Sequence, residues 1–240
     1  MNFLTAMGYY GMGYYFDPTI ILVLIGAMLS LWASSRVNTT FARYSRVRSM
    51  TGMTGAQAAQ RLLQSQGIYD VTVRSVRGNL TDHYDPRTKT VNLSESVYGS
   101  TSVAAIGVAA HECGHAIQDN VGYSPLRLRA AFVPLANFGS TLSWPLIVIG
   151  LIVSMPFLLK LGIWMFTLAV AFQLITLPVE FNASRRAVAL LDSQGILSGE
   201  EVDGTSKVLK AAALTYVAAA AASILQLLRL VILFGHRREE

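Results

Sequence analysis

Charge is scarce in this sequence, and cysteine scarcer still. Asp, Glu, Lys and Arg make up 14% of 240 residues, against a hydrophobic content of 52%. Mean hydropathy is +0.44. A soluble domain carries roughly 25% charged residues, so this composition excludes an ordinary soluble globule and indicates an integral membrane protein. The single cysteine, Cys113, rules out an intrachain disulfide and gives no sign of an oxidising compartment. No Lys or Arg precedes Arg36. A secretory leader needs a basic start before its apolar core, so residues 1–17 do not read as one. Residues 130–179 hold one charged side chain, Lys160, and no internal repeat or low-complexity linker is evident. The net charge of +5 would suit nucleic acid, but the basic residues flank apolar runs. That pattern orients a membrane protein, so no nucleic-acid partner is expected.

What the sequence does have is apolar length. Residues 1–18 are expected outside the cytoplasm, with Tyr14, Tyr15 and Phe16 as interface aromatics. Residues 19–35 can just span a bilayer. Arg36, Arg43, Arg46 and Arg48 follow, which places residue 36 onward in the cytoplasm. Residues 130–178 read as a hairpin of two membrane helices, about 130–155 and 161–178, with Lys160 at the tip and Arg127 and Arg129 at the entrance. Pro134, Pro145 and Pro156 are expected to kink or end its first helix. The Ala-rich segment 211–234 reads as a fourth span although it carries Arg229, and 235–240 is a C-terminal tail with Arg237 and Arg238.

Between these spans, residues 36–129 form the main polar region. Thr54 caps a helix that Gly67 ends. Val71–Val76, Leu80–Tyr84 and Thr90–Leu93 read as short strands, the last two around the turn Asp85-Pro86-Arg87-Thr88. An edge strand of such a sheet can pair with an extended peptide. The next helix, from about Thr101 to Asn120 with Ser100 or Ser102 as its cap, holds His111-Glu112-Cys113-Gly114-His115. Here two of the four histidines stand one helical turn apart on one face. Two imidazoles so placed chelate one Zn²⁺, and Glu112, one step round, reaches a water beside it as general base. Cys113 falls on the opposite side, and Gly114 leaves room for another element to approach the metal face. Two buried histidines and a carboxylate with no metal would be costly.

A catalytic zinc commonly takes three protein ligands, and His₂Glu is one known set. Because the hairpin crosses twice, residue 179 returns to the side of the motif. Leu177–Ala187 reads as a new helix with Pro178 in its first turn, and Glu180 is one candidate third ligand. A first-turn Glu favoured by the helix dipole is an equal reading of the same residue. His83 is a rival ligand, whereas Asp119 is too close along the helix. Oxyanion candidates are His83, Tyr84, Tyr123, Arg185, Arg186 and Tyr216. Within the enzyme class, Val103–Ala110 is too short an apolar stretch for the motif helix itself to span the bilayer, which argues against intramembrane cleavage. A non-catalytic metal-binding scaffold is the alternative from another class. Transport would need ionisable groups inside the spans.

Asp82-His83-Tyr84-Asp85-Pro86, Val91-Asn92-Leu93-Ser94, Val108–Gln118 and Leu177–Ser184 together resemble the bacterial membrane-embedded neutral zinc metallopeptidases of the YugP-like kind. More distantly the arrangement is similar to HtpX-like and CAAX prenyl membrane proteases. The resemblance implies a mainly α membrane protein with about four transmembrane helices and a zincin-like, gluzincin-type catalytic domain bearing a small β-sheet. It implies a cell-membrane zinc endopeptidase acting on peptide or protein substrates, membrane proteins among them; the apolar runs make it multi-pass and the arginine pattern places its site at the cytoplasmic surface. It implies His111, His115 and Glu180 as zinc ligands and Glu112 as base; His83 is taken as the oxyanion stabiliser from the candidates above, not from the resemblance. In the distant relatives a Glu-x-x-x-Asp segment supplies the third ligand. The Asp position is Ser184 here, so Ser184 by its hydroxyl or Asn182 is left to orient a histidine.

Overall fold

The computed structural model describes residues 17–234. Within them the chain runs α1 (Ile20–Tyr44), α2 (Gly55–Ser65), β1 (Thr72–Val76), β2 (His83–Asp85), β3 (Thr90–Ser94), the single turn α3 (Glu95–Tyr98), α4 (Val103–Asn120), α5 (Ser124–Ile152), α6 (Pro156–Ser193) and α7 (Glu200–Phe234). The protein is mainly helical with one small sheet. Four helices, α1, α5, α6 and α7, are long and apolar enough to cross a membrane; α4 is not among them. Residues 1–16 and 235–240, and with them Tyr14, Tyr15, Phe16, Arg237 and Arg238, lie outside the described residues.

The polar region forms much as its local signals dictate. Thr54 accepts from Gln57 N (3.2 Å) while Gln57 Oε1 accepts from Thr54 N (2.9 Å), a reciprocal capping box that starts α2. The strand order is β1-β3-β2, with β1 parallel and β2 antiparallel to β3. Val91 and Leu93 of the central strand are fully buried. The strand expected over 80–84 shrinks to His83–Asp85. Leu80 takes a positive φ of 56°, and Asp82 turns its carboxylate to accept from Ser94 N at 2.8 Å. The Asp85 carboxylate closes the hairpin turn by accepting from Arg87 N (2.9 Å) and Thr88 Oγ1 (2.8 Å).

Helix ends in the membrane region depart from expectation in three places. First, α1 continues past Ser35 to Tyr44. No Gly or Pro breaks it there, and the Thr39 and Thr40 hydroxyls donate to the carbonyls of Ser35 and Arg36, which needs no unwinding. Second, the hairpin turns at Val153–Met155, where Ser154 has a φ of 53°. Pro156 then opens α6 and Lys160 lies a turn inside it, not at the tip, while Pro134 and Pro145 stay within α5. Third, Pro178 does not begin a helix. It sits inside α6, which is continuous from Pro156 to Ser193. Proline withdraws one backbone donor, and close neighbouring helices tolerate that in a membrane helix. The new helix expected to open at Leu177–Ala187, with its connection over 179–210, is therefore the end of α6, a turn with Gly195 and Gly199 at positive φ, and the start of α7.

These lengths carry spans beyond the bilayer. At 1.5 Å per residue the 38 residues of α6 reach about 57 Å, nearly twice a hydrocarbon core of roughly 30 Å. The excess lies against α4, the hub of the core. Val103, Ile106, Ala109, Cys113 and Ile117 of α4 pack with Leu62 of α2, Leu93 of β3, Leu191 of α6 and Leu209 of α7. Each fully buried Leu or Ile contributes about 1.5–3 kcal/mol. Gly114 lets α4 and α6 touch backbone to backbone: a Cβ there would stand 2.7 Å from the Ala183 carbonyl oxygen. Arg229, in the fourth span, pairs with Asp17 at the start of α1 (Nη2–Oδ2 2.6 Å). A charge near lipid thus has its counter-ion.

Candidate metal centre

Ser102, in extended backbone, caps α4 by accepting from Ala105 N at 3.2 Å. The helix then runs unbroken, and His111 and His115 project from one face with ring centroids 4.8 Å apart, edge to face. Glu180, from the part of α6 beyond the bilayer length, meets both rings. Its Oε2 lies 3.3 Å from His111 Nε2 and 3.6 Å from His115 Nε2. The three donor atoms lie within 4.8 Å of one another. Tetrahedral zinc with bonds of about 2.0–2.1 Å separates its donors by roughly 3.3 Å. Glu180 is 2% exposed, and Oε2 is a buried atom with no hydrogen-bond partner. Such an atom is costly unless a cation or proton completes it. Residue types, spacing and the orphaned oxygen all fit a zinc ion.

In both rings Nε2 is the nitrogen that faces Glu180, and the neighbouring bonds fix the tautomer of His115. The fully buried Gln118 donates both amide hydrogens, to the Val179 carbonyl (2.8 Å) and to Asn182 Oδ1 (3.0 Å). Its Oε1, 3.1 Å from His115 Nδ1, is therefore an acceptor, and Nδ1 is the donor. That leaves the Nε2 lone pair of neutral His115 aimed at Glu180. On the other ring, His111 Nδ1 is 3.1 Å from the Ser184 hydroxyl, which accepts from it in the tautomer that leaves Nε2 free towards Glu180. Arg186 Nε donates to Asn182 Oδ1 at 2.8 Å and fixes that amide in turn. The histidines are thus oriented through their rear nitrogens, as metal-binding imidazoles are.

Electrostatically the cluster attracts positive charge. Burial disfavours an imidazolium at His115, but the Glu180 and Glu112 carboxylates beside it outweigh burial and hold its pKa above the ordinary histidine value. Arg129 supplies a cation to the other oxygen, with Nη1 3.4 Å from Glu180 Oε1. Cys113 points away, its thiol donating to the Ala59 carbonyl at 3.6 Å, and burial pushes its pKa up.

A cavity of about 410 Å³ opens over the cluster. Glu112, 8% exposed, lines it beside His111, His115 and Glu180. His83, Tyr84, Arg129 and Tyr216 line it too. A smaller cavity of about 160 Å³ adjoins, again bordered by His111, Glu112, Glu180 and Tyr216. His83 is exposed and engaged at both ring nitrogens, Nδ1 with the Thr81 carbonyl (2.8 Å) and Nε2 with Asn92 Nδ2 (3.2 Å). At the rim Asp119 accepts from Tyr84 (2.8 Å) and Lys89 (2.9 Å). Burial would raise the Asp119 pKa, but those two bonds more than offset it and hold the carboxyl below its usual range. Arg185 faces a different, apolar cavity between α6 and α7. Tyr123 borders neither lobe over the cluster. Gln118 and Arg129 are absent from the sequence-derived set. Gln118 read as a polar helix end, though its position three after His115 puts it within reach of that ring. Arg129 read as a membrane-flanking charge.

The profile of a family described as "Putative neutral zinc metallopeptidase" matches residues 19–235. The chain is 48% identical over 221 residues to "Putative membrane protease YugP" of Bacillus subtilis (strain 168), covering 92% of this chain and 98% of that protein. No solved structure matches.

Proposed function

The chain belongs to the neutral zinc metallopeptidase family, and from that premise we propose that it is a membrane-embedded zinc endopeptidase with a zincin-like, gluzincin-type site. One observation carries the reading. Two imidazoles with fixed rear nitrogens converge on a buried carboxylate oxygen that has no other partner. His111, His115 and Glu180 would hold the ion. When zinc is bound, the chemistry it supplies is Lewis acidity towards a carbonyl and a water of lowered pKa.

The remaining work falls to the chain's own groups. Glu112 takes the proton of the attacking water and delivers it to the leaving amine. Tyr216 is the preferred hydrogen-bond donor to the developing oxyanion, because it borders both cavity lobes beside Glu112 and Glu180. His83 shares the cavity, but both its nitrogens are already engaged. β2 is an edge strand next to the cavity, so an extended peptide can pair along it and lie over the cluster. Arg36, Arg43, Arg46, Arg48, Arg127 and Arg129 support a cytoplasmic placement of this surface. Residues 36–129 together with the ends of α6 and α7 then form the catalytic unit, facing peptide or protein substrates at the membrane.

The test is metal content of the purified protein beside His115→Ala and Glu180→Ala, followed by peptide cleavage with Glu112→Gln. The expected result is about one zinc per chain, lost in both ligand variants, with Glu112→Gln keeping zinc and losing hydrolysis. Zinc retained by Glu180→Ala moves the third ligand elsewhere. Cleavage retained by Glu112→Gln refutes the base.

A further inference from the structure

The cytoplasmic end of the α1–α7 pair carries a feature that peptide hydrolysis does not use. The two helices run antiparallel: Gly26 of α1 packs on Ala222 of α7, and further along Tyr44 of α1 packs on Gly204. Between these contacts they part to leave a cleft of about 540 Å³. Arg36 and Arg43 line it from α1, and Lys207 and Lys210 from α7. No carboxylate lines it, and among the described residues none of the four cations forms an ion pair. Glu200 and Asp203 border the adjoining cleft, which also touches Arg43 and Lys207. The more purely positive end is therefore that of Arg36 and Lys210.

The depth of the cleft is as informative as its charge. Large exposed apolar side chains continue along α1 from Ile20 to Trp32 and then stop until Val47. On α7 they begin at Val217. The cleft sits where these two apolar surfaces end, with Trp32 and Leu214 at its lipid side and the four cations at its aqueous side. Charges that merely orient the chain need only stand near the membrane face. Here two from each of two helices converge on one concavity with an apolar lip.

We propose that this cleft binds the headgroup of an anionic phospholipid, its phosphate among Arg36, Arg43, Lys207 and Lys210 and its acyl chains leaving past Trp32 and Leu214. Charge-assisted hydrogen bonds from guanidinium and ammonium groups suit a phosphate. Basic pockets between membrane helices recognise such headgroups. A soluble anion would satisfy the cations but make no use of the apolar lip. The site is independent of the peptidase reading.

The full chain, with Trp144→Phe and Trp164→Phe so that Trp32 reports alone, is titrated in neutral detergent with bromine-tailed phosphatidylglycerol. Saturable quenching is expected, and bromine-tailed phosphatidylcholine should need a far higher concentration. At about fivefold per cation, Arg36→Gln with Lys210→Gln should weaken phosphatidylglycerol binding about 30-fold. The charge-keeping pair Arg36→Lys and Lys210→Arg should restore most of it. Arg46→Gln with Arg48→Gln, neutralised just outside the cleft, should leave it nearly unchanged. Equal loss in that control pair would reduce the effect to general attraction and overturn the site. Equal quenching by phosphatidylcholine, or displacement by millimolar inorganic phosphate, would overturn it as well.

Discussion

Adding one methyl group at Gly114 should dismantle the metal centre without touching a ligand. A Cβ there would lie 2.7 Å from the Ala183 carbonyl oxygen and 3.1 Å from both its carbonyl carbon and Cα, all backbone atoms. Ordinary contact begins at 3.4 Å, so α4 and α6 must separate by about 0.7 Å. Ala183 lies between Glu180 and Ser184, so the separation passes directly into the 3.3 and 3.6 Å gaps between Glu180 and the two rings. Ligand distances in a metal site tolerate only about ±0.2 Å. Gly114→Ala is therefore expected to weaken zinc binding at least as far as the upper end for a lost supporting contact, about 100-fold. Overpacking should also cost about 1–3 kcal/mol of stability. Chelator competition measures the first effect and thermal unfolding of the metal-free protein the second. Gly107→Ala is the control. It lies on the same helix, and its Cβ would stand 2.9 Å from the Thr205 side chain on α7, away from Glu180. It should lose stability and keep zinc affinity. Wild-type zinc affinity in Gly114→Ala would refute the claim that this contact sets the ligand geometry.

Gln118→Leu fills the same buried space but leaves His115 Nδ1 without its acceptor, so zinc affinity should fall about 10–100-fold in the same competition assay while the fold persists. Tyr216→Phe should keep zinc and lower kcat about 10²–10³-fold if the phenol meets the oxyanion, and an unchanged kcat would exclude it. The rim is expected to respond to acid. The depressed Asp119 pKa contributes stability above the unfolded value near 3.9, and this is lost as pH falls through the folded value. Lys89→Met removes the hydrogen bond that does most to hold that pKa down, so the fall in Tm on acidification should become shallower. An unaltered acid limb would detach Asp119 from it.

The motif helix was legible because its signals are local. Ser102 offers a side-chain oxygen to the first turn, and two histidines four apart cannot avoid sharing a face. The same holds for Thr54 with Gln57 and for Asp85 at its turn, where each bond partner is within three residues. Four spans follow from composition. What sequence could not place were helix ends in apolar surroundings. The rule that reads Pro178 as a helix start rests on proline's missing N–H being unneeded in a first turn; packed among neighbouring helices the same gap is tolerated in the interior, and α6 runs straight through it. The third donor was illegible by spacing alone, since Glu180 and His83 both return to the motif's side. It was the family resemblance, not periodicity, that favoured Glu180. Gln118 and Arg129 escaped notice because a polar helix end and a charge beside a span each already had a sufficient ordinary explanation. Their partners, Asn182 and Glu180, are distant in sequence.

The uninterrupted course of α6 means that this protein has no detachable head. The helix long and apolar enough to cross a bilayer is the same piece of backbone that presents Glu180 to the histidines, Ser184 to His111 and Asn182 to Gln118. α7 likewise carries Tyr216 to the cavity from the other side. On the proposed reading, no cut in the chain separates a soluble enzyme from its anchor, because the ends of the apolar helices are walls of the cavity over the cluster. Detergent choice, lipid composition and fusion-partner position are therefore expected to act on the site itself, and a fragment limited to residues 36–129 would be born without Glu180.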